Sequence, residues 1–209
     1  MRNPRDRVQW VYAAKNNREL EARYDEWASD YDRDLAVEFE WSSPREAVGL
    51  FAKHVSLDAT ILDAGAGTGL VGEHLVAAGY RGACAIDLSP RMLEVARRKQ
   101  VYSDLRQMTL GEPLAFDTDV FDAVIAVGVF TTGHAPAHAF DELVRVTRPG
   151  GHIVFSLRTE LEVEPEFAAH LESLGATGKW NLVECSEPYH PLPKGEPEVV
   201  HRTWVYRVV

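Results

Sequence analysis

Short apolar runs alternate with amphipathic segments along most of this chain. Compact apolar runs indicate strands, and segments whose apolar residues recur every three or four positions indicate helices. The run 121–127 is apolar almost throughout, which is typical of a strand covered on both faces. The predicted strands cover 59–63, 82–87, 106–110, 121–127, 152–157, 179–186 and 199–208, and the predicted helices cover 18–33, 43–55, 69–78, 89–99, 136–147 and 164–174.

The alternation of strands and helices predicts an α/β fold. We expect a seven-stranded, mostly parallel sheet with helices on both faces and an antiparallel pair at its C-terminal end, joined by the proline-rich loop 187–197. The length of 209 residues favours one domain. Its predicted parts are an N-terminal helical cap at 1–55, a ligand-binding core at 56–158, and a C-terminal helix with the antiparallel strand pair at 159–209.

A glycine-rich segment, Asp63–Gly69, follows the first predicted strand. Glycine lets the backbone come within contact distance of a ligand because it has no Cβ. The next helix points its free N–H groups at the same place. The second predicted strand ends in Asp87, about 20 residues beyond the glycines, where a carboxylate suits the hydroxyls of a ribose. These features predict a site for a nucleotide-sized cofactor.

Two cofactors compete for this site. A dinucleotide fingerprint has the spacing G-x-G-x-x-G, whereas here Leu70 stands where the third glycine of that fingerprint belongs. Asp63 would repel a pyrophosphate but accept hydrogen bonds from a cationic amino group. S-adenosylmethionine has such a group and no phosphate, so the sequence favours this methyl donor over a nicotinamide dinucleotide.

Three segments carry a family resemblance, namely Asp63–Gly69, Asp87–Leu93 and Arg148–Gly151. In this order they resemble the motifs of class I S-adenosylmethionine-dependent methyltransferases. More narrowly, Tyr24–Asp32 and Gly128–His134 are similar to the Williams–Beuren-region methyltransferase-like family. The resemblance implies the Rossmann-like fold of the class, with S-adenosylmethionine as cofactor.

The residues expected to contact the cofactor lie mainly beyond the carboxyl ends of the strands, where open α/β sheets bind ligands. The resemblance adds a tyrosine of the N-terminal cap. Met92 packs either on the adenine ring or in the core. The class usually places an acidic residue after the third strand for the adenine amino group, whereas this chain has a threonine and a leucine there. The expected contacts are Tyr31, Asp63, Gly65, Ala66, Gly67, Gly69, Asp87, Leu88, Met92, Thr109, Leu110 and Val127.

Methyl transfer from a sulfonium is an in-line displacement that depends on alignment and desolvation. His134, in the loop after the fourth strand, is the candidate general base, with a structural hydrogen bond as its alternative role. Candidate acceptor contacts are Trp27, Phe130 and Arg158. Trp27 equally suits packing onto the sheet, and Arg158 either binds an anionic group of the acceptor or pairs with Glu160.

Composition narrows the choice of acceptor and compartment. The net charge of −10 disfavours a nucleic-acid partner, and no apolar run reaches the ~20 residues of a membrane helix. Cys84 and Cys185 lack metal or redox spacing, which indicates a reducing cytoplasm, and no metal is expected. The predicted function is methyl transfer to an oxygen, nitrogen or sulfur atom of a small molecule. A non-catalytic S-adenosylmethionine-binding or partner-interaction protein is the alternative, a nicotinamide-dependent oxidoreductase is less favoured, and monomer and homodimer both stay open.

Overall fold

The computed structural model describes residues 3–131 and 133–209. Its seven strands are β1 (Ile61–Ala64), β2 (Cys84–Asp87), β3 (Asp104–Gln107), β4 (Phe121–Phe130), β5 (Thr147–Arg158), β6 (Trp180–Cys185) and β7 (His201–Val208). They form one sheet in the order β3-β2-β1-β4-β5-β7-β6. The first five strands are parallel, and β7 is antiparallel to both β5 and β6. The predicted Rossmann-like α/β fold is thereby confirmed.

Helices cover both faces of this sheet. They are α1 (Pro4–Tyr12), α2 (Asn17–Trp27), α3 (Ser43–His54), α4 (Leu70–Ala77), α5 (Pro90–Lys99), α6 (Ala139–Val146), α7 (Thr159–Glu162) and α8 (Pro165–Ala176), with a π-helical turn at Arg33–Glu38. Apolar residues of α3 and α4 pack on one face, and those of α6 and α8 pack on the other. Among the described helices, none has the length and apolar character needed to cross a membrane.

Strand β4 explains how both faces are filled. Ala123 and Ile125 point into the core under α3 and α4, whereas Val124 and Ala126 join the core under α6 and α8. This alternation is the two-residue period of a strand, and it is apolar on both sides because both sides are covered. Because the core covers both faces of β4, packing fixes the position of its carboxyl end.

Several element boundaries differ from the predictions. The helix predicted at 18–33 ends at Trp27, and the third strand ends at Gln107 rather than at residue 110. The fifth strand begins at Thr147 rather than at residue 152, because Thr147 already pairs with Phe121. Helix α1 was not predicted, although Asn3 accepts a hydrogen bond from the backbone N–H of Asp6 in the manner of an N-cap.

Candidate functional site

A ligand-binding space lies beyond the carboxyl ends of β1, β2 and β4, under the N-terminal helices. We call it the main cavity. All but two of the predicted cofactor contacts line it. These lining residues are Tyr31, Gly65, Ala66, Gly67, Asp87, Leu88, Met92, Thr109, Leu110 and Val127.

The glycine-rich loop brings backbone to the cavity wall. Gly65, Gly67 and Gly69 have φ values of +83°, +54° and +89°, a region that L-residues with a Cβ rarely adopt. A Cβ on Gly67 would meet nothing within 4 Å, so it would occupy open space at the wall. That is the space a closely bound ligand needs, and the loop therefore fits the cofactor that the sequence predicts.

Asp87 stands at the end of β2, in the wall of the main cavity. Its two carboxylate oxygens accept hydrogen bonds from the backbone N–H groups of Gly67 (2.7 Å) and Ser89 (2.8 Å). These bonds hold the carboxylate in place and leave each oxygen with a further lone pair for a ligand hydroxyl. Burial raises the pKa of Asp87 to about 6, with the charge of Asp25 adding to the effect.

Asp63 lies one layer deeper than predicted. It is fully buried in β1 and does not line the cavity. The Tyr102 hydroxyl donates a hydrogen bond to Asp63 Oδ2, while Oδ1 has no hydrogen-bond partner within residues 3–131 and 133–209. Burial, with the charge of Asp87 adding to its effect, raises the pKa of this carboxyl to about 7. Gly69 also lies outside the cavity, packed beside Tyr102 at the start of α4.

Buried Asp63 and half-buried Asp87 bear on the choice between the competing cofactors. Their raised pKa values indicate that the protein alone compensates negative charge at these carboxyl groups poorly. A cationic ligand would offset that charge, whereas a pyrophosphate would add to it. The site therefore fits S-adenosylmethionine, whose sulfonium and amino groups are positive, better than a dinucleotide.

His134 lines the main cavity and is hydrogen-bonded to a tyrosine of the cap. Its Nε2 lies 2.6 Å from the hydroxyl oxygen of Tyr24, and its ring meets that of Tyr12 edge to face at 5.5 Å. Burial raises the pKa of Tyr24 well above 10. The sequence pointed to His134 but not to its partner, although Tyr24 lies on the same helical face as Trp27.

A second space, which we call the side cavity, adjoins the main cavity. It shares Tyr24, Tyr31, Trp41 and Gly128 with the main cavity. Gly128 has a φ of +73°, and a Cβ there would lie 2.9 Å from Cζ2 of Trp41, so the missing side chain lets the indole approach the backbone. The polar residues in its wall are Thr131, Glu196 and His201, none of which the sequence indicated.

The three candidate acceptor contacts lie in different surroundings. Trp27 lines the side cavity, and its indole N–H donates to Asp34 Oδ2 at 2.8 Å. Phe130 does not contact either cavity: its ring is fully buried and stacks on Phe140 at 4.0 Å between centroids. It belongs to the core because it ends β4 on the face covered by α6. Arg158 lines neither cavity and pairs with Glu160 at 3.4 Å.

Comparison with known proteins places this geometry in context. Residues 62–155 match the family described as "Methyltransferase domain". Over 164 residues the chain is 39% identical to human "Methyltransferase-like protein 27". The aligned region covers 75% of the chain and 66% of that protein. The chain thus spans just under two thirds of that relative's length.

Two further similarities concern sequence in one case and fold in the other. The chain is 41% identical over 96 residues to the "Demethylmenaquinone methyltransferase" of Clavibacter sepedonicus, covering 45% of the chain and 39% of that protein. The crystal structure of the [4+2]-cyclase SpnF superposes with a TM-score of 0.72 at 16% identity, over 93% of this chain and 97% of that one. The second likeness shows the fold alone, and it shows that this fold is found in proteins named for different reactions.

Proposed function

We propose that this chain, which belongs to the class I S-adenosylmethionine-dependent methyltransferases of the methyltransferase-like family, transfers a methyl group to a small molecule. The observation that carries the proposal is the pair of adjoining cavities, one beside Asp87 and one beside Glu196. The first has the shape and charge for the methyl donor. The second offers a separate, enclosed place for an acceptor.

The chain's own residues would hold the cofactor at three places. Asp87 would accept hydrogen bonds from the ribose hydroxyls, and the backbone around Gly67 would lie against the sugar and the methionine chain. Met92, Thr109 and Leu110 line the part of the wall assigned to adenine. S-adenosylmethionine supplies, when bound, a methyl group already activated by its sulfonium.

The Tyr24–His134 pair is positioned to remove a proton from the acceptor. Tyr24 lines both cavities, and its hydroxyl donates to Nε2 of His134 when the imidazole carries its own proton on Nδ1. In the transfer, the acceptor's proton passes to the Tyr24 oxygen as the Tyr24 proton passes to Nε2. The electron pair freed on the acceptor would then form the new bond to the methyl carbon while the bond from that carbon to the sulfonium sulfur breaks and its electron pair stays on the sulfur, which leaves S-adenosylhomocysteine.

A small acceptor is favoured over a nucleic acid by charge and by enclosure. The net charge of −10 opposes binding to a phosphate backbone. The side cavity is lined by residues of α1, α2 and the loop 187–197, and a base would have to leave its stack to occupy it. We place the reaction in the cytoplasm, because the free cysteines Cys84 and Cys185 suit a reducing compartment.

A two-step experiment tests the proposal. Thermal unfolding is measured with S-adenosylmethionine, S-adenosylhomocysteine or NAD, and we expect the first two to raise the melting temperature. Methyl transfer from tritiated S-adenosylmethionine is then measured against a small-metabolite fraction and an RNA fraction of a cell extract. Label in the metabolite fraction supports the proposal. Stabilisation by NAD alone contradicts the cofactor assignment, and label in RNA alone contradicts the acceptor class.

Binding of S-adenosylmethionine without transfer to any fraction would favour the alternative, a non-catalytic cofactor-binding protein.

A further inference from the structure

The side cavity has an unusual combination of aromatic walls and a buried carboxylate. Its aromatic lining residues are Tyr12, Tyr24, Trp27, Tyr31 and Trp41. Glu196 is the residue with a formal charge among those that line this cavity in the described chain, and its exposure is 7%. Aromatic faces attract cations, and they do so more strongly where water is excluded.

The carboxylate of Glu196 is held by neutral donors. The amide of Gln9 donates to Oε1 at 2.7 Å, and the Tyr12 hydroxyl lies 3.5 Å from Oε2. Burial raises the pKa of Glu196 and raises that of Tyr12 to about 12, with the charge of Glu196 contributing to the second effect. These directions show that negative charge here is only partly balanced by the protein.

The other polar groups near Glu196 balance its charge only in part. His201 is 7% exposed, and burial lowers its pKa to about 4, which leaves the ring neutral near pH 7. Its Nδ1 has no hydrogen-bond partner in the part of the chain that the structure describes. Arg158 is close enough to lower the pKa of Glu196, but its guanidinium lies over the Tyr12 ring, 5.9 Å from the centroid, and pairs with Glu160.

We propose that the side cavity binds the methyl acceptor and that Glu196 selects an acceptor carrying a cationic amine on a small, largely apolar frame. The inference rests on the proposed function and adds the acceptor's chemical class to it. Glu196 lines only the side cavity, so an ammonium held there leaves the rest of the molecule to reach Tyr24, Trp41 and Gly128, where the two cavities meet.

The test uses three probes with one ring and three charges: 2-phenylethylamine, 2-phenylethanol and phenylacetate. Their binding is measured by calorimetry or ligand-observed NMR on the full chain saturated with S-adenosylhomocysteine. We expect the amine to bind at least about tenfold more tightly than phenylacetate. In Glu196→Gln, which keeps the size and the bond from Gln9, the amine should lose about tenfold while the alcohol changes little.

Two further variants make the result specific. Glu187→Gln removes an exposed carboxylate at the start of the same loop and should leave all three affinities unchanged. Glu196→Asp keeps the charge and should retain part of the preference for the amine, which a purely structural role of Glu196 would not predict. Retained affinity for S-adenosylhomocysteine shows that each variant is folded.

The outcomes distinguish this inference from the proposed function. If phenylacetate binds best, Arg158 rather than Glu196 dominates the cavity and the inference is wrong. An unchanged order of affinities in Glu196→Gln contradicts it as well. If S-adenosylhomocysteine binds but no probe does, the inference fails and the cofactor assignment stands. If S-adenosylhomocysteine does not bind, the proposed function fails, and this inference fails with it.

Discussion

The two cavities meet at Tyr24, Tyr31, Trp41 and Gly128, but they are built from different kinds of structure. The main cavity is formed mostly by loops that leave the sheet. The carboxyl group of Asp87 lies in its wall, and that of Asp63 is buried behind it. The side cavity is formed mostly by aromatic side chains of the N-terminal helices and by the loop that precedes β7.

This difference separates two tasks. The wall beside the cofactor depends on short loops held by strands that are themselves held by the core, so its geometry follows from the fold. The wall beside the acceptor depends on which side chains the cap and the C-terminal loop present. The second wall can therefore change in evolution while the first stays as it is.

The largest effect that we expect is on the rate of the reaction itself. His134→Ala should lower the rate of methyl transfer about a thousandfold, because it removes the group that takes the proton from Tyr24. Affinity for S-adenosylmethionine should change far less than the rate, because His134 is one of many residues in the wall of the main cavity. The rate is measured with tritiated cofactor on the active metabolite fraction.

His138→Ala is the matched control. His138 is exposed, and its Nε2 lies 3.1 Å from the carbonyl oxygen of Gly111. Equal rates for both variants would remove His134 from the mechanism.

The next largest effect concerns the main cavity alone. Asp87→Asn should weaken binding of S-adenosylmethionine about a hundredfold, because two charge-assisted hydrogen bonds to the ribose are lost. The dissociation constant is measured by calorimetry. Asp117→Asn, a change at an exposed carboxylate, serves as the control and should have no effect. Binding of 2-phenylethylamine in the side cavity should be spared, so loss of both would show that the two sites are not independent.

The smallest predicted effect is a dependence on pH. Asp87 and Asp63 have pKa values raised to about 6 and about 7, so both are largely protonated at pH 5 and ionised at pH 8. Affinity for cationic S-adenosylmethionine should therefore fall at least about tenfold between pH 8 and pH 5. In the free protein the sign is opposite, because a raised pKa makes these groups contribute less stability as pH rises from about 4 to 7.

Calorimetry across this range checks the affinity, and Asp63→Asn shows which carboxyl is responsible. The variant should reduce the dependence on pH and leave the part that Asp87 contributes. An affinity that is flat from pH 5 to pH 8 would contradict a role for either carboxyl in holding positive charge.

The main cavity was largely predictable from the sequence because its parts are local. Asp63–Gly69 and Asp87 each follow a strand directly, and the pairing of β1 with β2 brings them together. The error at Asp63 has the same origin: spacing places a residue at the end of a strand but does not tell whether its side chain faces the cavity or the interior.

The side cavity was not predictable in this way. Gln9 and Glu196 are 187 positions apart in the chain, yet the amide of one donates to the carboxylate of the other. No periodic pattern joins them, and the proline-rich loop that carries Glu196 has neither helical nor strand spacing. Phe130 was misplaced because an aromatic residue after an apolar strand looks the same whether it closes a pocket or, as here, extends the core.

The tryptophans are distributed in a way that has an optical consequence. Trp41 lines both cavities and Trp27 lines the side cavity, whereas Trp180 is fully buried in the aromatic core. Filling either cavity alters the surroundings of Trp41 but not those of Trp180. Because Gly128 lets the Trp41 ring rest where the two spaces join, the intrinsic fluorescence of this protein contains a reporter of occupancy and a constant reference in the same chain.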